Sequence, residues 1–457
     1  MNNNQNHCIL HIGLGSFHRA HLAVYQHMLS DPSWRLIGGN ARPGMEDNAI
    51  ALQKQRGAYT LETVSPQGVR KTIHVASLNE VILYEPRLQG LITVGADSTT
   101  KIISFTVTEA GYYLDTSHNL ILQSPDIVND LKPRAASVTI YGALTLILQE
   151  RMKKSGGKIT LLCCDNLRHN GTRFRGGFLQ FLEALGKPEL RTWVESHTTT
   201  PNSMVDRITP RPTPELCRRL KDPCGLMSEA FLQWVVEDCF AAGRPAWEKV
   251  GVQFVERVDP YEEAKIRILN ASHSCIAWAG QLKGYRFIHE GTRDVTIRSM
   301  AYRYVTDDVI PCLQRQQPPN FTLDLAAYRD IVLDRFSNDA IADTNQRVAM
   351  DGFSKIPGFI VPTIRERLEA NESIDAVAVL PALFLAYLQV WYKKELPYPY
   401  IDGAMNVDEA KSICSSKDTV AAFCANQTLF GSLASDPRLL RSVRTAYVKI
   451  CGAGSNL

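Results

Sequence analysis

The sequence predicts an α/β fold, in which a domain built on a mostly parallel sheet is followed by a mainly α-helical domain. Strand-like runs alternate with helix-like segments through the first half of the 457 residues, a pattern typical of parallel sheets with crossover helices. Beyond Asp259 the strand signals give way to helical periodicity. Because the chain is too long for one ordinary core, we expect two domains, 1–255 and 256–457.

Each predicted element depends on a local pattern. Short apolar or β-branched runs predict buried strands at 8–13, 34–39, 101–108 and 158–164. Apolar residues at helical spacing predict helices at 19–29, 294–310, 325–336, 361–370, 376–393 and 437–450. Asp259, Pro260 and Glu262 are typical of an N-cap, a first helical position and a third one. The apolar stretch 376–391 contains Pro381 and is shorter than the ~20 residues that span a bilayer, so we interpret it as a buried helix.

Composition and cysteine spacing exclude several classes of protein. The net charge of +3 provides no basic footprint for nucleic acid. The eleven cysteines include no CxxC pair, which argues against a zinc ribbon, a redox pair and a disulfide scaffold. The first seven residues, MNNNQNH, lack the apolar core of a signal peptide. We therefore expect a cytoplasmic protein with reduced thiols, no bound metal, no membrane or nucleic-acid partner, and a monomeric state.

A glycine-rich turn follows the first predicted strand. Gly13 and Gly15 stand between this strand and a helix, where glycines let the backbone approach a pyrophosphate. His18 occupies the place of the third glycine in the dinucleotide-binding fingerprint. The pattern alone fits a plain tight turn equally well, and methyltransferases begin with similar turns, although no acidic residue stands out where a methyltransferase would need one. We expect a Rossmann-type domain with cofactor contacts from Gly13, Gly15, Ser16, Phe17, His18 and Arg19.

Polar residues also follow the other predicted strands. Ligands of open α/β sheets bind beyond the carboxyl ends of the strands, so we expect Asn40, Thr108 and Glu109 at the cofactor. Asn40 suits the ribose hydroxyls of NAD, whereas the nearby Arg42 suits the 2′-phosphate of NADP, and a solvated loop explains both equally well. Asn166, after the strand at 158–164, is a candidate amide donor to a substrate oxygen.

The segment 262–273 places chemically useful groups on one side of a predicted helix. At 100° per residue, Glu262, Lys265, Asn270 and His273 fall within an arc of about 140°. A base, an amide and an imidazole together suit the removal of a proton from an alcohol. Taken singly, a lysine after two glutamates is usually a solvated surface residue and a histidine is usually structural, so the shared face carries the prediction. Clustered cysteine ligands for a catalytic zinc are missing from the sequence.

Five segments together resemble the mannitol 2-dehydrogenase family of polyol-specific long-chain dehydrogenases. They are GLGSFHRAH at 13–21, SFTVTE at 104–109, CDN at 164–166, PNSMVDRIT at 201–209 and KIRILNASHS at 265–274, in the family order over most of the chain. The resemblance implies a zinc-independent, NAD-dependent enzyme that acts on a polyol. It implies Lys265 as general base, Asn166 and Asn270 as amides that hold the reacting oxygen, His273 as a substrate contact, and Glu262 in proton passage.

Substrate contacts are less sharply predicted. Asp206 and Arg207 are candidates, although the two could simply form an ion pair. Lys393 is a third candidate, in a place where family members tend to carry an arginine–tyrosine pair after the late tryptophan.

A mannitol 2-dehydrogenase or a hexuronate reductase remains an alternative of the same class. A non-catalytic NAD-binding regulator is the alternative of another class, and the complete set of Lys265, Asn270 and His273 argues against it.

Overall fold

The computed structural model describes residues 7–115, 117–133, 135–154, 157–318 and 321–452. The chain divides into two compact units. The N-terminal unit comprises Met1–Val64 and Arg70–Asp259, and the C-terminal unit comprises Ser65–Val69 and Pro260–Leu457. Residues 1–6, part of the N-terminal stretch for which the sequence predicts no signal peptide, lie outside the described residues.

A six-stranded sheet forms the centre of the N-terminal unit, in the order β5-β2-β1-β6-β7-β8. All its neighbouring strands pair in parallel. Two smaller sheets, β10-β3-β4 and β12-β11-β9, contain both parallel and antiparallel pairs. The strands are β1 His7–Ile12, β2 Trp34–Gly39, β3 Tyr59–Val64, β4 Arg70–Val75, β5 Leu78–Ile82, β6 Thr100–Phe105, β7 Ile159–Cys163, β8 Thr198–Thr199, β9 Ser203–Asp206, β10 Leu226–Glu229, β11 Gln233–Glu237 and β12 Gln253–Val255.

Alternate residues of β1 enter two different cores. Leu10 and Ile12 pack into the core that also contains Phe105 and Phe174. Ile9 packs into the other core, on the opposite face of the sheet. Because successive strand residues point to opposite faces, a strand covered on both sides must be apolar throughout, which explains the continuous apolar runs of the sequence.

The helices of the N-terminal unit connect these strands. They are α1 Ser16–Ala20, α2 Leu22–Leu29, α3 Glu46–Lys54, α4 Gln89–Ala96, α5 Pro125–Asp130, α6 Ile140–Lys154, α7 Asn170–Ala184, α8 Pro188–His197 and α9 Pro214–Leu220. The single helix predicted at 19–29 is wrong, because the chain breaks at His21, whose backbone has φ −123° and ψ −95°. The strand predicted at 101–108 is also too long, since β6 ends at Phe105.

The C-terminal unit is helical in its described residues, apart from one isolated β-bridge. Its central helix is α11, which packs against α12, α13, α16 and α19. The helices are α10 Asp259–Ala264, α11 Ala271–Leu282, α12 Ile288–Arg293, α13 Val295–Arg303, α14 Ile310–Gln316, α15 Leu325–Phe336, α16 Asn345–Ala349, α17 Gly352–Lys355, α18 Val361–Glu369, α19 Val379–Tyr392, α20 Val407–Ser415, α21 Thr419–Cys424, α22 Gln427–Phe430 and α23 Pro437–Gly452.

Three stretches between these helices have π-helical hydrogen bonding. They are the first π segment, Lys265–Asn270, the second, Tyr304–Val309, and the third, Ile356–Ile360. The first contacts both of the others.

The helix predicted at 376–393 is confirmed as α19, whose residues from Leu380 to Leu388 are buried. Within the described residues, no helix is long and apolar enough to cross a membrane.

Candidate active site

The glycine-rich turn of the N-terminal unit has a conformation that requires glycine. Gly13 has φ +108°, and a Cβ there would lie 2.2 Å from the carbonyl oxygen of Thr106. Gly15, just before α1, has no heavy atom within 4 Å of the place of its Cβ. The first glycine therefore allows the turn to pass close to the end of β6, and the second leaves open space. A pyrophosphate needs this close access to the backbone of the turn.

Two stacked histidines lie beneath this turn. The rings of His11 and His18 are 3.5 Å apart and inclined by 16°. His11 Nε2 donates to the carbonyl oxygen of Gly13 at 3.1 Å, so Nδ1 must accept from the Ser104 hydroxyl at 2.9 Å. Burial lowers the pKa of His11 to about 3 and that of His18 well below its ordinary value. Both rings are therefore neutral near pH 7, and His11 fixes the turn by a hydrogen bond and not by charge.

Arg19 and Arg207 bind backbone carbonyl groups within the N-terminal unit. Arg19 Nη1 donates to Cys224 O at 2.5 Å, and the guanidinium lies over the ring of Tyr59. Arg207 donates from Nη1 to Ala20 O at 2.6 Å and from Nε to Glu229 O at 3.1 Å. Ala20 is the last residue of α1, so Arg207 secures the end of the helix that follows the glycine-rich turn.

The remaining predicted cofactor residues lie in α1 or contact the turn. Asn40 is buried, and its Oδ1 accepts from the Leu14 amide at 2.9 Å. Ser16 is the first residue of α1. The Phe17 ring stacks on His21 at 5.0 Å. Asn40 thus shapes the turn directly, an interaction that no spacing in the sequence indicated.

The ends of β6 and β7 are joined by the carboxylate of Asp165. It accepts from the amides of Val107 at 3.0 Å and Thr108 at 2.8 Å, and from the Tyr112 hydroxyl at 2.9 Å. Burial raises the pKa of Asp165, and these three donors oppose that shift. Thr108 and Asn166 are both exposed, at the ends of neighbouring strands. The structure therefore places two predicted site segments side by side.

The segment 201–209 is linked to β7 through the side chain of Asn170. Asn170 Nδ2 donates to Asp165 O at 3.0 Å and to Ser203 O at 2.8 Å. Ser203 Oγ in turn donates to Cys163 O at 2.6 Å. Asp206, at the end of the same short strand β9, is buried opposite Gln233 of β11. The segments 164–166 and 201–209 are therefore held as one structure.

The first π segment begins at Lys265 and ends at Asn270. The arc predicted for these residues assumed an α-helix, and that assumption is wrong for this stretch. In an α-helix, Asn270 would lie about 140° around the axis from Lys265, five positions earlier. A π-helix bonds residue i to i+5 and so brings these two residues closer to the same side. Lys265 and Glu262 are both buried, with exposures of 7% and 5%. π-helical turns are frequent at functional sites.

A buried ion pair holds the middle of the first π segment. Arg267 contacts Glu366 of α18 through two hydrogen bonds of 2.7 and 2.6 Å, and Glu263 through one of 2.8 Å. Burial opposes the charge of Arg267, but the two carboxylates raise its pKa. A bidentate pair fixes orientation as well as position, so α18 anchors the segment that carries Lys265.

His273 lies one helical turn further on, within a cluster of side chains that the sequence did not predict. Its Nε2 is 3.3 Å from Asp343 Oδ2, and its ring stacks on Phe336 at 4.3 Å. Arg347 also binds Asp343, with contacts of 2.7 and 2.6 Å. Burial lowers the pKa of His273, the contact with Asp343 opposes this shift, and the positive charges of Arg347 and Lys355 add to it. The i,i+4 spacing of Asp343 and Arg347 is the sequence feature that could have indicated this cluster, but the same spacing is common in ion pairs that have only a structural role.

Lys393 is exposed at the C-terminal end of α19. Its assignment as a substrate contact stays a prediction, as do the other residue roles. Among the described residues, no group of three or more His, Cys, Asp or Glu side chains is arranged to hold a metal ion.

A parallel-sheet unit with a glycine-rich turn, followed by a helical unit with a buried lysine, defines a two-domain dehydrogenase architecture. Residues 7–249 match the mannitol dehydrogenase Rossmann domain, and residues 257–451 match the mannitol dehydrogenase C-terminal domain. The chain therefore belongs to the mannitol dehydrogenase family. The predicted fold class, family and dehydrogenase class are confirmed.

Several relatives are similar over nearly their whole length. D-arabinitol 4-dehydrogenase of Ralstonia nicotianae is 51% identical, with 97% of this chain and 96% of that protein covered. D-arabinitol 4-dehydrogenase of Klebsiella pneumoniae is 49% identical, with 95% and 96% covered. The Pseudomonas fluorescens mannitol 2-dehydrogenase, solved as a ternary complex with NAD and D-mannitol, has a TM-score of 0.82 at 33% identity, covering 98% of this chain and 93% of that one.

Proposed function

We propose that this chain is an NAD-dependent polyol dehydrogenase that oxidises D-arabinitol to D-xylulose without zinc. The support for the substrate is the identity of about half to two D-arabinitol 4-dehydrogenases over nearly the full chain. The support for the cofactor is the Rossmann domain match and the NAD complex of the mannitol 2-dehydrogenase. Its cytoplasmic location and monomeric state are part of the same proposal.

The glycine-rich turn fits a dinucleotide. Gly15 leaves open space beside the backbone, Gly13 lets the turn pass close to Thr106, and the turn is fixed by His11 and Asn40. Gly13, Gly15, Ser16, Phe17, His18 and Arg19 form the stretch that would hold NAD, together with Asn40, Thr108 and Glu109. When bound, NAD+ supplies the acceptor for the hydride that leaves the carbinol carbon.

Lys265 removes the hydroxyl proton of the substrate. The observation that carries this assignment is the first π segment, which begins at this buried lysine and ends at Asn270. Asn270 and Asn166 donate hydrogen bonds to the oxygen on which negative charge develops, a role that favours amide donors. His273, neutral near pH 7, contacts the substrate hydroxyls, and the buried Glu262 passes the proton onward. Asp206, Arg207 and Lys393 stay candidate substrate contacts.

The decisive experiment measures NADH absorbance with the purified protein, NAD+ and one polyol at a time. D-arabinitol, D-mannitol and L-arabinitol are compared at mildly alkaline pH with a chelator present. We expect the fastest reduction with D-arabinitol, and chromatography of the ketose should identify D-xylulose. A faster reaction with D-mannitol would contradict the substrate, and loss of activity in chelator would contradict zinc independence.

Two further outcomes concern the alternatives. Activity only with NADP+ would contradict NAD as the cofactor. Activity only in the reverse direction with a hexuronate would contradict D-arabinitol as the substrate. No turnover with any of these substrates, but tight NADH binding, would favour a regulator. Light scattering during gel filtration tests the monomeric state.

A further inference from the structure

Thr108 has a backbone conformation that is almost confined to glycine. Its φ is +66° and its ψ is +163°, a region in which a side chain collides with its own backbone. The residue is exposed and lies three positions beyond the end of β6. The pairing of the sheet therefore does not hold it, and such strain persists only where other contacts impose it.

Asp165 provides those contacts. Its Oδ1 accepts from the amides of both Val107 and Thr108, at 3.0 and 2.8 Å. These two hydrogen bonds fix the peptide groups that precede the strained φ angle of Thr108, and the bond from Tyr112 Oη to Oδ2 of Asp165 fixes the chain four residues beyond it. Asp165 itself is only 4% exposed, so water does not compete effectively for its oxygens.

Asp165 is held from the other side as well. Its second oxygen accepts from Tyr112 Oη at 2.9 Å, and the backbone carbonyl of Tyr112 accepts from Tyr141 Oη at 2.7 Å. The main-chain oxygen of Asp165 accepts from the Leu167 amide at 3.0 Å and from Asn170 Nδ2 at 3.0 Å. Because Leu167 and Asn170 follow β7 and are remote from Thr108 in sequence, these two contacts hold Asp165 independently of Thr108.

We infer that Asp165 is a positioning residue for cofactor binding, because its carboxylate holds Thr108 in the conformation that presents Thr108 and Glu109 to the dinucleotide. The same residue precedes Asn166, so one side chain sets the relative placement of two segments of the site. This inference rests on the proposed NAD-dependent function. It assigns Asp165 no contact with the substrate.

The test is a double-mutant cycle between Asp165→Ala and Thr108→Gly, read by fluorescence titration of NADH into the full chain. With Thr108 present, Asp165→Ala should weaken NADH binding by about tenfold or more, since backbone strain of this kind corresponds to that factor. With Gly at position 108, the same substitution should cost at most ~3-fold, because glycine reaches positive φ readily. An equal loss in both backgrounds would overturn the inference.

Two further variants separate positioning from other roles. Asp165→Asn keeps one acceptor oxygen and should bind NADH within ~3-fold of the native protein; if it fails like Asp165→Ala while folded, the carboxylate acts through its charge and the inference falls. Asp130→Ala is the matched control, since Asp130 likewise accepts from two backbone amides, those of Val138 and Thr139. It should lower stability and leave NADH affinity unchanged.

The cycle is also measured by urea unfolding without cofactor. Coupling between positions 165 and 108 in the free energy of unfolding would persist even if the native protein bound no NADH. In that case the proposed function would fail, and with it the assignment to cofactor binding. Native NADH binding without any coupling between the two positions would overturn the inference alone.

Discussion

The hydroxyl group of Tyr304 donates a 2.9 Å hydrogen bond to the carbonyl oxygen of Arg267. Tyr304 is the first residue of the second π segment, and Arg267 lies in the first. A switch from α- to π-helical bonding changes the partners of the backbone carbonyls, so an external donor helps to satisfy one of them. Tyr304 is fully buried, and this contact fixes the first π segment from one side.

Tyr304→Phe should therefore lower both stability and turnover. A buried carbonyl that loses its partner costs about 1–2 kcal/mol of unfolding free energy. We expect kcat to fall by about tenfold, because a shift of 1 Å at catalytic groups can cost ~10²-fold. Stopped-flow turnover and urea unfolding measure the two effects. Tyr387→Phe is the control, since that buried hydroxyl contacts Tyr398 and should change stability alone; equal losses of kcat would contradict the interpretation.

Replacement of Lys265 tests the proposed base. Lys265→Ala should reduce kcat by at least ~10²-fold, the usual contribution of general base catalysis, while NADH binding persists. Lys265→Arg should be equally inactive, because a guanidinium keeps its proton. Polyol oxidation rates and NADH titration provide the two measurements. Near-native turnover in either variant would exclude Lys265 as the base.

Arg207→Met distinguishes a structural role from substrate binding. The side chain of Arg207 binds the carbonyls of Ala20 and Glu229, so we expect a loss of about 3 kcal/mol in unfolding free energy and weaker NADH binding. The KM for the polyol should change little. Arg211→Met, at an exposed position two residues beyond the segment 201–209, is the control. A selective rise of KM in Arg207→Met would instead support its prediction as a substrate contact.

The contacts of Asp343 predict a particular pH dependence of stability. Burial opposes its charge, but His273 and Arg347 hold the pKa of this carboxyl well below its usual range. In the unfolded chain it titrates near pH 4, so the charged form stabilises the fold above that pH and the contribution is lost as pH falls. Asp343→Asn should be less stable than the native protein at pH 7, on the order of 2 kcal/mol.

This stability difference should shrink below about pH 4. There the Asp343 carboxyl binds a proton in the unfolded chain, so the stability gained from its charged form in the folded protein is lost. Urea unfolding at several pH values measures it. Asp339→Asn is the control, because the side chain of Asp339 is 57% exposed beside Arg293 and such a surface pair contributes at most ~1 kcal/mol. A difference that is constant with pH would contradict the ion-pair explanation.

The sequence predicted elements well where one pattern decides the outcome. Strand β2 and helix α15 have the predicted bounds, because continuous apolar runs and helical periodicity follow directly from burial. Prediction from the sequence failed where long-range contacts determine the local structure. The break at His21 is accompanied by contacts from Tyr59 and Arg207 to the end of α1, and neither residue is near in the chain. The chain just beyond the end of β6 is likewise held by Asp165, which follows the neighbouring strand β7.

The candidate site divides in the same way. Residue types alone establish which chemical groups are available, among them Gly13, Lys265 and Asn270, because they fix donors, acceptors and backbone freedom. Long-range packing sets the arrangement of these groups: the π-helical turn that relates Lys265 to Asn270, and the strained φ angle of Thr108. Both conformations are unfavourable for an isolated segment and persist only through partners distant in sequence, such as Glu366 and Asp165, which local patterns cannot reveal.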